Sequence, residues 1–435
     1  MRDLIILALV VGGSLYGLRA PWVGAMVWTW VSLASPHVSI AWNLASLPAG
    51  VISAVCTLLG LLFTRERQNP MLGASMWVLL VFVLWTTVTL PFSFHFDASV
   101  DLWLRSIKIW VMLFVTVALI DSRKKLEAFL WVCVVSIGYF GFKGGLFTIA
   151  TGGSYHVWGP GGFIGDNNSF AVAMLTTIPI LRYLQMQMTN KWHQHFMTVW
   201  MLATAAAVLG SQSRGALLGI GAMTFFLWAK GKGKFKALAL IVAAAFVLLP
   251  FMPDTWWDRM GTMGTYKEDE SAMGRFDAWG MAWELAKDKF PFGGGFMVWT
   301  HDEFAIYAPM AQQNRAAHSI YFQILGEHGW AGLMLFVAIG MTAWFRAGQL
   351  IRKLKDQPEK QWAADLVRMC QASLIGFAAG GAFLSLAYFD MPYNVVAMIM
   401  LAYTIAMKPQ AAAKLNLAPL PSQTVRVQIP SRGER

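Results

Sequence analysis

The chain has 435 residues, of which 57% are hydrophobic and only 13% are charged, and its mean hydropathy is +0.52. This composition excludes an ordinary soluble domain and predicts an integral membrane protein. The net charge of +11 does not indicate a nucleic-acid partner, because Lys and Arg lie mostly in short loops between apolar runs and in the C-terminal tail.

The predicted elements begin with residues 3–35, two half-length apolar pieces separated by the sequence LRAP. We interpret them as one broken span or a re-entrant pair. Eleven further apolar runs approach the roughly 20 residues that a membrane-spanning helix needs. They lie near residues 48–63, 72–91, 101–120, 126–150, 168–187, 196–211, 214–229, 235–252, 318–346, 363–388 and 392–407. The sequence therefore predicts an all-α polytopic membrane protein with about 12 transmembrane helices.

Basic residues mark every second loop between these runs, which is the pattern of cytoplasmic loops in membrane proteins. The basic loops contain Arg65 and Arg67, residues 123–125, Arg182 and Lys191, residues 230–236, and residues 346–360. The opposite, external face then receives residues 92–100, 151–167, 211–214 and one long loop, 253–317. We divide the chain into an N-terminal bundle of about nine spans (1–252), the external loop subdomain (253–317), three C-terminal spans (318–408) and a basic, disordered cytoplasmic tail (409–435).

The long loop contains the sequence SAMGRFDAWGMAWELAKDKFPFGGG, in which Phe276, Trp279 and Trp283 recur at helical spacing. The pattern predicts an amphipathic helix that stops near Pro291 and lies on the bundle or on the membrane. No Gly-rich nucleotide loop is present, and the run KEDE has the pattern of a solvated charge cluster rather than a metal site. We therefore predict no cofactor and no metal.

Five basic residues lie within or against apolar segments on the predicted external side: Arg105, Lys108, Lys143, Arg214 and Arg275. Such charges are costly in a membrane and indicate function unless a structural role accounts for them. An anionic ligand is the simplest explanation for cations on this face. For Arg105 and Lys108, contact with lipid headgroups alone remains an alternative.

Arg214 has the strongest signal, because it begins a span directly after a tight turn and stands beside Ser213. Free N–H groups at a helix start and a guanidinium together suit a phosphate. Arg275, in the first turns of the predicted amphipathic helix, follows the same logic. For Arg214, the alternative is an arginine that reaches lipid headgroups or caps a neighbouring helix. For Arg275, the alternative is an exposed helix charge.

His318 stands where the long loop enters a span, in the sequence NRAAHSIYFQ. The positive end of the helix dipole and nearby arginines disfavour its protonated form, so a neutral ring can accept a proton. The alternative is a polar residue that bonds water or backbone at the helix start. His301 and His328 are rival candidates.

The sequence GPGGFIGDNNSFA places Asp166, Asn167 and Asn168 at the mouth of another span. These side chains either bind sugar hydroxyls or cap the helix, and the sequence favours neither role over the other.

Taken together, SRGA at the start of a span, GRFDAW in the loop and HSIY at its end resemble the O-antigen ligase and polymerase superfamily of the bacterial inner membrane. Within it, the chain looks most like the O-antigen ligases, and among these like the O-glycosylation ligases associated with exosortase systems. The resemblance rests on the order of these short motifs over most of the chain.

The resemblance implies a metal-independent glycosyltransferase with the GT-C type of fold and a periplasmic active site. Its donor would be a glycan on undecaprenyl pyrophosphate, and its acceptor an outer-core sugar of lipid A-core. It further implies that Arg214 and Arg275 bind the pyrophosphate and that His318 is the essential loop histidine, acting as general base in an inverting reaction. Arg105, Lys108, Lys143, Asp166, Asn167, Asn168 and Ser213 are the predicted substrate-binding residues.

Two other readings remain open from the sequence. A polymerase of repeat units, or an enzyme that glycosylates protein Ser or Thr, would use much the same donor chemistry. A transporter of lipid-linked anions would instead spread polar residues through the middle of its spans, often in repeated halves. The basic residues here cluster toward one face, and no internal repeat is apparent.

Overall fold

The fold is described from a computed structural model, which covers residues 1–230, 270–311 and 313–408. The predicted span at 235–252, residues 253–269 of the predicted loop and the predicted disordered tail at 409–435 lie outside the described residues. Within the described part of the chain the protein is all-helical, without strands.

The N-terminal helices are α1 (Arg2–Leu7), α2 (Gly13–Tyr16), α3 (Pro21–Ala34), α4 (Pro36–Ser39), α5 (Ala49–Phe63), α6 (Ala74–Thr89), α7 (Phe96–Leu119), α8 (Arg123–Ala150), α9 (Asn167–Met186), α10 (Lys191–Gly210) and α11 (Arg214–Lys230). The later helices are α12 (Glu270–Asp288), α13 (His301–Tyr307), α14 (Ile320–Lys353), α15 (Gln361–Gly381) and α16 (Asp390–Met407). The predicted amphipathic helix is present as α12, which ends three residues before Pro291.

Six helical segments within the described residues are long and apolar enough to cross a membrane. They are Ala74–Phe92, Phe96–Leu119, Arg123–Ala150, Asn167–Met186, Ile320–Lys353 and Asp390–Met407. The predicted runs at 196–211, 214–229 and 363–388 correspond to α10, α11 and α15, which are not among these six. The larger number of about twelve spans stays a prediction.

The N-terminal apolar stretch forms two short helical pieces, residues 2–16 and α3. A close approach of two glycines holds them together, since a Cβ atom on Gly17 would stand 2.9 Å from Cα of Gly24. Such contacts between small residues let helix backbones approach closely within a membrane. Helices α9 and α16 are the most buried of the candidate spans, and they form the centre of the bundle.

Helix α14 is broken at Gly329, whose φ of 65° and ψ of −168° are not helical. Only glycine fits there, because a Cβ atom would stand 2.1 Å from the Pro291 carbonyl oxygen. The break divides α14 into a short segment, residues 320–328, and a long one, residues 330–353. Trp85 of α6 donates from Nε1 to the His328 carbonyl at 2.9 Å and fixes the position of the break.

Candidate active site

His318 lies immediately before α14, with a half-buried side chain and a backbone φ of 43°. This left-handed conformation costs a residue other than glycine roughly 1–2 kcal/mol, so the surrounding structure must hold it. The His318 N–H donates to Ser385 Oγ at 3.0 Å. Ser385 belongs to residues 382–389, the non-helical segment that connects α15 to α16. The predicted apolar run at 363–388 is thus interrupted, and its last part positions the histidine.

Helix α12 is docked beside His318 through Trp279. The indole Nε1 donates to the carbonyl of Ala317 at 2.7 Å. The ring stacks on Phe322 with centroids 5.0 Å apart and contacts Phe383 at 6.2 Å. Residues four apart share one helix face, so the same face of α12 that carries Trp279 carries Arg275. The predicted amphipathic helix therefore lies on the bundle and brings Arg275 toward His318.

Arg315 joins this group, although the sequence analysis did not identify it. Its side chain passes so close to α12 that a Cβ atom on Gly274 would stand 2.7 Å from Arg315 Cδ. The guanidinium is held by Gln313 Oε1, which accepts from Nε at 3.1 Å and from Nη2 at 2.6 Å. Its partner is thus a neutral amide. The only sequence signal was a further arginine three residues before His318.

Burial and positive charge together act on the His318 ring. Partial burial lowers its pKa below the ordinary value, and the charges of Arg275 and then Arg315 lower it further, while Asp166 opposes them. The imidazole is therefore neutral at neutral pH. Charges from the residue that caps α9, from α12 and from the loop before α14 thus act on one ring.

Arg214 approaches the same region from α11. A Cβ atom on the next residue, Gly215, would stand 3.2 Å from Cβ of Phe383, and Phe383 also contacts Trp279. The start of α11 thus packs on the 382–389 segment that binds α12 and His318. Ser213 is buried and caps α11, accepting from the Ala216 N–H at 3.3 Å.

The three polar residues at the start of α9 support this end of the bundle. Asp166 caps α9, accepting from the backbone N–H groups of Asn168 and Ser169 at 2.9 Å each. Asn167 donates to the carbonyl of Ser211 at 2.7 Å and so fixes the turn before α11. Of the two roles that the sequence left open, Asp166 thus has that of a helix cap. Asn167 instead holds the turn before α11. Asn168 is half-buried at the same place.

Three predicted site residues lie elsewhere. Arg105 and Lys108 are exposed on α7, and Lys143 is exposed on α8. No contact in the described part of the chain joins any of the three to His318. Lys108 instead lines a separate cavity between α3, α5 and α7.

The rival histidines differ from His318 in access. His328 is completely buried, with Nδ1 2.8 Å from Thr89 Oγ1 and Nε2 2.8 Å from the hydroxyl of Tyr388. A substrate cannot reach this ring without displacing the protein. His301 is exposed at the start of α13, outside the cluster around His318.

The site is suited to anions by its basic side chains. The described residues contain no group of three or more His, Cys, Asp or Glu side chains arranged to hold a metal ion. The guanidinium groups of Arg214, Arg275 and Arg315 are the candidates for contact with a phosphate, which arginine can bind through two parallel hydrogen bonds.

The fold and the site define a class: a multi-pass helical membrane protein in which basic side chains and a neutral histidine meet at one end of the bundle. The O-antigen ligase family matches residues 198–337, a segment that contains Arg214, Arg275 and His318. This match confirms the resemblance to the O-antigen ligase superfamily seen in the sequence. It supports a glycosyltransferase-like activity of the ligase or polymerase type.

The preceding part of the chain, residues 1–189, matches a family of unknown function, DUF5935. No curated protein matches the chain.

Proposed function

We propose that the protein is an O-antigen ligase that transfers a glycan from undecaprenyl pyrophosphate to an outer-core sugar of lipid A-core. The observation that carries this proposal is that Arg275 and Arg315 act on a half-buried, neutral His318. The start of α11, which carries Arg214, packs on the same 382–389 segment that binds His318. The family match over the same residues agrees with it.

In this proposal the arginines bind the pyrophosphate of the donor. Charge develops on the pyrophosphate as its bond to the sugar breaks, and fixed guanidinium groups stabilise that charge where water is partly excluded. Such stabilisation lets the reaction proceed without a metal ion. The amide of Gln313 holds Arg315 without neutralising it, so its positive charge stays available.

His318 acts as the general base. Its neutral ring accepts the proton of the acceptor hydroxyl while that oxygen attacks the anomeric carbon of the donor sugar. The bond from this carbon to the phosphate oxygen breaks, its electron pair leaves with undecaprenyl pyrophosphate, and the new glycosidic bond forms. A single displacement of this kind inverts the configuration at the anomeric carbon.

The site then faces the periplasm of the bacterial inner membrane. Support comes from the charged contacts at the opposite end of the bundle, where Lys125 at the start of α8 pairs with Glu66 at 3.1 Å. Lys408, directly after α16, donates to the carbonyl of Asp121 at 2.8 Å. Basic residues gathered at this end agree with a cytoplasmic side.

The direct test is transfer by the purified protein in detergent, with donor lipid and lipid A-core, in the presence of EDTA and without nucleotide. The proposal predicts a core-linked glycan of inverted configuration, and product formation by His318→Ala that is slower by a factor of about 10² or more. Full activity of His318→Ala would contradict the proposed base, and activity abolished by EDTA would contradict metal independence.

Parallel reactions separate the ligase from the other readings. Product on lipid A-core supports the ligase. Lengthening of the donor glycan alone would show a polymerase, product on a Ser- or Thr-containing protein would show a protein O-oligosaccharyltransferase, and donor movement across vesicles without any product would show a transporter. Each of these three outcomes would overturn the proposed acceptor.

A further inference from the structure

The cavity beside Lys108 lies in the N-terminal half of the protein, between α3, α5 and α7, and none of its lining residues belongs to the His318 cluster. Its volume is about 450 Å³, within the usual range for a small-molecule site. All of its lining residues fall within residues 28–112, and hence within the segment that matches the family of unknown function.

The residues that line this pocket are mostly apolar, and the pocket opens on the outer surface of the helix bundle. Val51, Val55 and Leu58 of α5 and Val111 of α7 line it and are themselves 39–57% exposed. Between Ala49 and Leu58 the lining follows α5 for about 14 Å, at a rise of about 1.5 Å per residue. A groove of this shape, open to the hydrocarbon region, fits a flexible apolar chain.

Two polar groups interrupt the apolar lining. Lys108 has no hydrogen bond or ion pair to any described residue, and the buried Nδ1 atom of His37 also has no hydrogen-bond partner among them. A positive charge against a membrane-spanning helix is costly when nothing compensates it. Arg105 lies three residues earlier on the same face of α7 and is also exposed. The charge of the groove therefore complements an anion.

We propose that this groove is a binding site for one anionic glycerophospholipid. An acyl chain lies along α5 between Val51 and Leu58, and the lipid phosphate lies beside Lys108. An uncharged lipid would fill the same walls but leave the lysine uncompensated. A soluble anion would match the charge but not the apolar walls.

The test is native mass spectrometry of the full-length protein after exchange into detergent with equal amounts of phosphatidylglycerol and phosphatidylcholine. The wild type is expected to retain one phosphatidylglycerol in about fivefold preference, the factor typical of one lysine at an anionic membrane surface. Lys108→Gln is expected to bind both lipids equally, whereas Lys108→Arg keeps the preference. Val55→Trp, which fills the groove from an exposed position, is expected to lose both lipids.

Lys143→Gln is the matched control, because it removes an exposed lysine of another candidate span that does not line the pocket. It is expected to bind lipid as the wild type does. The proposal fails if the wild type shows no preference, if the preference survives in Lys108→Gln, or if Lys143→Gln reduces it equally. It also fails if Val55→Trp, eluting as a folded protein, retains the lipid.

Discussion

The two ends of one short helical segment carry histidines with opposite surroundings. His318 precedes residues 320–328 and His328 ends them. The ring of His318 is half-buried, without a hydrogen bond to any described residue, and lies in the field of Arg275 and Arg315. Both ring nitrogens of His328 are 2.8 Å from a protein hydroxyl, in a site closed to solvent.

The second histidine belongs to a buried network that has a structural task. Glu327 accepts from Trp299 Nε1 at 2.9 Å and also accepts from the Tyr388 hydroxyl, which lies beside His328. Buried polar groups are stable only when they are satisfied, and this network satisfies them at the break of α14. The comparison shows that access and partners, rather than residue type, distinguish a candidate base from a structural histidine.

The largest effect should separate the two histidines. His318→Ala is expected to lower kcat about 10²–10⁴-fold, the usual contribution of a general base, with little change in Tm. His328→Ala should lower Tm, because the Thr89 and Tyr388 hydroxyls each lose one buried hydrogen bond of about 1 kcal/mol, while the folded fraction keeps its kcat. Transfer assays and thermal unfolding of both variants measure this. Loss of kcat in His328→Ala at an unchanged Tm would contradict this assignment and indicate that His328, and not His318, takes part in the reaction.

The next largest effect concerns the arginines around His318. Arg214→Ala and Arg275→Ala should each lower kcat/KM about 10²–10³-fold, because a fixed donor to the developing charge is lost. Lysine should restore only part of the activity at either position, since it lacks the planar fork of donors. Steady-state kinetics check both. Lys287→Ala, at the other end of α12 in an exposed pair with Glu284 at 2.8 Å, is the control and should keep wild-type kinetics. Complete rescue by lysine would contradict bidentate contact.

A smaller effect should show that residues 382–389 position the base. Ser385→Ala removes the acceptor of the His318 N–H, a hydrogen bond of about 1 kcal/mol, and should lower kcat about fivefold with little change in KM. Ser385→Thr keeps the hydroxyl and should restore kcat. Ser373→Ala removes a comparable buried bond, from Ser373 Oγ to the Thr176 carbonyl at 2.7 Å, and should change Tm but not kcat. A kcat loss shared by both alanine variants would indicate a general loss of packing.

The smallest effect is a shift in pH dependence. Activity requires neutral His318 and is lost as the pH falls through its pKa, which lies below the ordinary value partly because of Arg315. Arg315→Gln weakens that influence, so the acidic limb of the kcat profile should move to higher pH. Lys287→Gln removes the same charge far from the ring and should leave the limb in place. If Arg315→Gln left the acidic limb unmoved, the charge of Arg315 would not influence the pKa of the base.

Much of the fold was readable from the sequence, because long apolar runs and basic loops constrain a membrane chain strongly. The runs at 72–91, 101–120, 126–150 and 168–187 correspond to helices α6 to α9. The run at 363–388 did not reveal the end of α15 at Gly381. Residues 382–389 are apolar enough to continue a span, so hydropathy could not distinguish them from helix.

The site was readable only in part. His318, Arg214 and Arg275 stand at element boundaries, where a charge near an apolar segment is conspicuous in sequence. Arg315 was missed because its importance depends on a close approach to Gly274, and no local pattern encodes that contact. Lys108 was recognised as unusual, but only the packing of α5 and α7 separates it from His318 and places it in an apolar groove.

The most direct test is a cryo-electron microscopy structure of the wild-type protein with undecaprenyl pyrophosphate bound. The account predicts both phosphates in hydrogen-bonding contact with Arg214 and Arg275, and the His318 ring facing the same cavity. Phosphates bound away from these guanidinium groups, or a His318 ring turned from the bound phosphates, would contradict it.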